Sequence, residues 1–208
     1  MKTIDEDIKS GQFKKIYLLY GDEAYLKKQY KDKLKNALVQ PDDTMNFTAY
    51  EVKDTNPKEV IDLSETLPFF ADRRVILIEN SGFFKGSCEE LAEYMAQVPD
   101  TTLFLFVEEE VDKRSKRYKA VKKAGKIGEF TTQTEELLTR WIVARRKKEG
   151  KNITGSVMQL FLSKTGNDMG NIDRELEKLI CYCMDKNVIE AADVEAVTTE
   201  QTTNKIFD

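Results

Sequence analysis

Three stretches of the chain are apolar with scarcely an interruption: Ile16–Tyr20 (IYLLY), Val75–Ile78 (VILI) and Leu103–Val107 (LFLFV). Runs this short and continuous suit strands buried on both faces of a parallel sheet. Reading the second as Arg74–Glu79 and adding weaker runs at Phe47–Glu51 and Ile127–Phe130 gives five predicted strands. Helical stretches fall between them, around residues 23–38, 57–66, 88–97 and 115–124. The alternation predicts an α/β domain whose sheet is covered on both sides.

After Phe130 the strand signal stops and three or four helices are predicted. Leu137, Leu138, Trp141 and Ile142 mark one face of the first, which ends on the basic turn Arg145–Lys148 before Gly150. The second runs from Ser156 to Lys164, with Val157, Leu160 and Phe161 inward. The third starts from a cap at Asn167 or Asp168 and carries the stripe Ile172, Leu176, Leu179 and Ile180. A short fourth helix spans Ala191–Val197. The chain thus divides into an α/β domain over 1–132 and a helical domain over 133–208. Because Ile206-Phe207 sits so close to the last residue, the natural chain is expected to continue.

Charge changes this picture little. With 33 basic and 37 acidic residues the chain carries −4, which argues against a general nucleic-acid coat protein but leaves room for a local basic patch. There is no apolar run long enough for a membrane span and no apolar leader at Met1–Asp7. The three cysteines, Cys88, Cys181 and Cys183, form no C-x-x-C pair and read as reduced thiols of a cytoplasmic protein. Histidine is absent altogether, which removes Ser-His and Cys-His nucleophile pairs and the usual zinc sites. No metal or cofactor is expected.

One segment looks like a phosphate loop. Gly21-Asp22-Glu23-Ala24-Tyr25-Leu26-Lys27-Lys28 follows the first strand and opens a helix, as G-x-x-x-x-G-K-[ST] does. Gly21 and Lys27 are in place. Leu26 replaces the second glycine, where a side chain obstructs the approach of phosphate to the backbone, and Lys28 replaces the hydroxyl that holds Mg²⁺. Where an ATPase of this architecture often carries an acidic pair, the third strand ends in Glu79-Asn80 with one acid. The loop reads either as a nucleotide-dead relative of such ATPases or as a chance match.

Four segments together, in order and in register, resemble bacterial DNA polymerase III delta subunits. They are Tyr17–Glu23 with Tyr25-Leu26; Leu67-Pro-Phe-Phe-Ala-Asp-Arg-Arg-Val75; the lysine-rich stretch Asp112–Lys119; and Gly166-Asn-Asp168 followed by Ile172 and Glu175–Leu179. The resemblance covers essentially the whole chain. It implies an AAA+-like (P-loop NTPase-like) parallel-sheet domain followed by a small helical lid domain, with a C-terminal collar domain beyond this sequence. It also implies a non-hydrolysing clamp-loader subunit that binds the sliding clamp, helps open it for primed DNA, and meets the other loader subunits through the collar. Two rivals stay open: a divergent ATPase using Lys27 and Glu79, and a nucleic-acid-binding adaptor.

The resemblance assigns clamp contact to Leu67, Phe69 and Phe70, on a short apolar helix leading into the central strand; the alternative is burial at that junction. Pro68 restrains the segment and favours presentation outward. Glu65 stands where clamp-binding peptides often carry glutamine. Lys113, Arg114, Lys116, Arg117 and Lys119 begin a run with Lys122, Lys123 and Lys126 that lacks any acid. It reads either as a solvated helix face or as a contact for DNA phosphates or an acidic subunit.

Overall fold

The computed structural model describes residues 2–51, 56–86 and 88–198. Ile206 and Phe207 lie outside them. Two compact units divide between Thr131 and Thr132.

The first unit begins with α1 (Lys2–Ser10), then β1 (Ile16–Tyr20), α2 (Ala24–Leu38), β2 (Phe47–Tyr50), α3 (Pro57–Ser64) and β3 (Arg74–Glu79). It continues through α4 (Glu89–Tyr94), β4 (Thr102–Glu108), α5 (Lys116–Ala124) and β5 (Lys126–Glu129). All five strands are parallel, in the order β2-β3-β4-β1-β5. Strand alternation sorts the apolar runs between two cores. Ile16, Leu18, Ile76, Ile78, Phe104 and Phe106 share one core with Val60 of α3, Leu91 of α4 and Val121 of α5. The intervening strand residues, among them Tyr17, Leu19, Leu77 and Leu105, are buried too, as are Leu26, Tyr30 and Leu34 of α2. Double-sided burial is why these strands show no polar alternation.

Helix α1 has no counterpart among the predicted elements. Its apolar signal is only Ile4 and Ile8, and a buried polar residue does the rest. Asp7 accepts from the Tyr17 hydroxyl at 2.6 Å and from the Lys126 ammonium at 2.6 Å.

The second unit holds α6 (Glu135–Lys148), β6 (Asn152–Ile153), α7 (Gly155–Thr165), α8 (Met169–Tyr182), β7 (Val188–Ile189) and α9 (Ala191–Val197). Side chains of Thr134, Thr154 and Asp168 cap α6, α7 and α8, each satisfying an orphan amide of the first turn. Leu138, Ile142, Phe161, Ile172, Leu176 and Leu179 are buried, whereas Leu137 is exposed and Trp141 and Leu160 are half-buried. The β6–β7 pair was not predicted because two residues carry no periodicity. It is closed by Lys151, whose buried ammonium donates to the carbonyls of Cys183, Met184 and Lys186 at 2.7–3.0 Å. No helix among the described residues is long and apolar enough to cross a membrane.

Candidate functional site

Residues 65–73, between α3 and β3, form an irregular loop rather than the short apolar helix expected there. Two local features prevent the helix. Pro68 biases Leu67 away from helical backbone, and Phe70 lies in the left-handed region at φ 50°. The loop's apolar side chains face water: Leu67 is 78 % exposed, Phe69 56 % and Phe70 95 %. Burial at the junction is therefore not their role. The two phenyl rings meet edge to face with centroids 4.6 Å apart.

A bulky residue at positive φ costs about 1–2 kcal/mol and persists only where its surroundings hold it. Two buried polar residues do so. Asn46, just before β2, accepts the Phe69 amide at 2.6 Å and returns a bond from its own amide to the Phe69 carbonyl at 2.9 Å. Arg74, the first residue of β3, donates to the carbonyls of Thr66, Leu67 and Met45 at 3.2–3.4 Å. They are 4 % and 8 % exposed. Neither is apparent as a site residue from the sequence, since Asn46 lies 23 positions from its loop partner. The available signal was a cation entering an otherwise apolar strand, which must find carbonyls if it is buried. Glu65 is engaged by the Tyr94 hydroxyl, which also lies 2.5 Å from Ser64 Oγ. Burial and that carboxylate push Tyr94 up to about 12.

The phosphate-like loop sits at the other end of the strands, after β1. Gly21 has φ 125°, and a Cβ there would lie 1.9 Å from the Phe130 carbonyl oxygen. Close approach to the end of β5 thus requires this glycine. Lys27 is buried and donates to the carbonyls of Gly21 at 2.7 Å and Glu108 at 3.1 Å. Burial lowers its pKa. Leu26 is buried and Lys28 exposed. The α2 N-terminus, the usual anion seat, is capped by a carboxylate: Glu23 accepts from the Tyr25 amide at 3.2 Å. Glu79 is paired with Lys31 at 2.9 Å. Neither side chain of the ATPase alternative is thus unengaged. Glu108, at the end of β4, is also buried; Ser81 Oγ and the Gly82 amide donate to it at 2.5 and 3.2 Å.

The basic run divides in the structure. Lys113 pairs with Glu129, Arg114 with Asp112, Lys116 with Glu89 and Lys126 with Asp7. Arg117 does not join an exposed basic face: it is buried, and its guanidinium donates to the Gly86 carbonyl. Among the described residues Lys119, Lys122 and Lys123 are exposed and make no ion pair. They share one side of α5 at spacings of three and four. In the second unit Arg145 pairs with Glu149 and Asp173, and Arg146 binds the Lys151 carbonyl.

A five-stranded parallel sheet with a glycine turn and a helix after β1 is an AAA+-like arrangement; here Lys27 binds two backbone carbonyls beside that turn and Glu23 caps the helix. The fold is shared with the Bacillus subtilis DNA clamp loader delta protein: TM-score 0.75 at 23% identity, covering 96% of this chain and 62% of that one. The Thermotoga maritima RuvB Holliday junction branch migration motor matches more distantly, with TM-score 0.52 and 13% identity over 93% of this chain and 64% of that one.

The chain belongs to the DNA polymerase III delta subunit family, whose model matches residues 17–131. It is 24% identical to the Bacillus subtilis DNA polymerase III subunit delta over 98% of this chain and 62% of that protein. To the probable DNA polymerase III subunit delta of Aquifex aeolicus it is 24% identical over 88% and 54% respectively. The chain therefore spans a little more than half the length of these relatives.

Proposed function

We propose that this chain is the clamp-gripping part of a bacterial clamp-loader delta subunit, acting in the cytoplasm during DNA replication. Leu67, Phe69 and Phe70 enter an apolar pocket on the sliding clamp, and the sheet behind them supplies the purchase for opening the ring. The observation that carries this reading is an exposed apolar triplet held out from the domain by buried polar side chains. Large apolar anchors in a partner's pocket dominate the energetics of such contacts.

The subunit is non-hydrolysing in this reading. Support comes from Lys27, bound to two backbone carbonyls, and from the Glu23 carboxylate at the α2 N-terminus. Nucleotide turnover then belongs to other loader subunits, and the helical unit serves as a lid. A second contact, with phosphates of primed DNA, is favoured by the unpaired lysines at 119, 122 and 123.

The test is direct binding of the chain to the sliding clamp of the same cell. Binding that disappears in a Leu67→Ala, Phe70→Ala chain supports the proposal. A correctly folded wild-type chain with no affinity for the clamp refutes it.

A further inference from the structure

We infer that Asn46 and Arg74 are positioning residues for the clamp contact, presetting the backbone of residues 66–70 in its binding conformation. This rests on the reading of Leu67 and Phe70 as that contact. The hydrogen bonds of these two residues to the loop all end on its backbone. They act on the main chain, and they do so from the sheet. The Asn46 carbonyl accepts from the Val75 amide at 2.8 Å, joining the β2 entry to β3. Its side-chain amide then serves the loop as a strand partner would, bonding both the amide and the carbonyl of Phe69.

The orientation of that amide is itself fixed. Asn46 Nδ2 also donates to the Asp43 carboxylate at 2.9–3.0 Å, and an ionised carboxylate only accepts. The nitrogen must face Asp43, which leaves the oxygen for the Phe69 amide. The same bonds hold Asp43 below the usual carboxylate range. Arg74 completes the arrangement. Pro68 offers no N–H of its own, and the guanidinium holds the two residues before it through the carbonyls of Thr66 and Leu67.

Loss of these bonds removes the tethers next to Phe70, which lies at φ 50° and almost wholly in water. The loop would sample other conformers, including ones with its rings folded back on the domain. Ordering it again on binding would weaken affinity, because preorganisation acts by removing that cost. Restoring the backbone order of one or two residues corresponds to about tenfold to a hundredfold in Kd.

The experiment compares Asn46→Ala and Arg74→Lys with the wild-type chain by amide hydrogen exchange, clamp binding and melting. Asn46→Ala is expected to speed exchange at Phe69 about tenfold or more and to raise the clamp Kd about tenfold to a hundredfold. In a Leu67→Ala, Phe70→Ala background it should change residual binding no further. Arg74→Lys, which keeps the charge but loses the fork, should act in the same direction and decides the matter if the alanine variant does not fold. A merely structural role would lower the melting temperature and leave the Kd of the folded chain unchanged, which overturns the inference. If the wild-type chain does not bind the clamp, the contact reading fails instead; unaltered Phe69 exchange then overturns the tether by itself.

Discussion

Replacing Leu67 and Phe70 together by alanine should separate binding from stability. Their exposures of 78 % and 95 % leave roughly a fifth and a twentieth of each side chain buried. Full burial of such side chains is worth about 1.5–3 kcal/mol each. The double variant therefore loses roughly 0.7 kcal/mol of stability, a drop of about 1–3 °C in Tm for a chain this size. At an interface the same truncations cost about 2 kcal/mol or more apiece, together about a thousandfold in Kd. Had the pair been core, the fold would lose about 5–10 kcal/mol, comparable with the whole stability of a domain. Melting and clamp binding measured on one preparation distinguish the cases. A fall in Tm of ten degrees or more, or undiminished binding, would refute the reasoning.

Millimolar Mg-ATP should leave the melting temperature unchanged, since Lys27 is held by the Gly21 and Glu108 carbonyls; ligand at a hundredfold excess over Kd would add about 2.7 kcal/mol and a visible rise. Gly21→Ala should cost about 2–6 kcal/mol in urea unfolding, combining positive φ with a clash against the Phe130 carbonyl. Burial holds the Glu108 carboxyl above its ordinary pKa. The folded chain then binds this proton more tightly than the unfolded one, so the group's contribution to stability declines as pH rises above about 4.5. Glu108→Gln should remove that decline, and an unchanged stability-versus-pH curve would refute the assignment.

The sheet was readable because each central strand is buried on both faces and so prints an unbroken apolar run. Helix α1 was not, because it is held as much by Asp7 bonding Tyr17 and Lys126 as by Ile4. Composition alone favoured burial of the 67–70 segment; Pro68 and the family resemblance made it a candidate contact, yet its backbone was not legible. The loop depends on Asn46, whose partner is distant in sequence, and on an arginine that periodicity marks only as the edge of a strand. Arg117 shows the converse. In the sequence it is one cation among eight, and only packing against the Gly86 carbonyl removes it from the exposed face.

The two ends of the parallel strands are built differently, and the parallel arrangement makes this possible. Every strand presents its carboxyl end on one edge and its amino end on the other. The carboxyl edge, where a nucleotide motor would hold phosphate, is closed here by internal bonds: Lys27 across β1 and β4, Glu108 onto the turn after β3, and Lys31 onto Glu79. The amino edge holds the loop, since both of its tethers leave the sheet where β2 and β3 begin. Under the proposed reading this division has a mechanical consequence. A contact that must pull on a partner works best from a frame whose supporting residues are themselves locked. An edge that opened and closed with nucleotide would let β1 and β4 shift and carry the loop with them. Fixing that edge with the chain's own side chains keeps the apolar tips in one place relative to the sheet, so that movement of the contact must come from displacement of the whole domain.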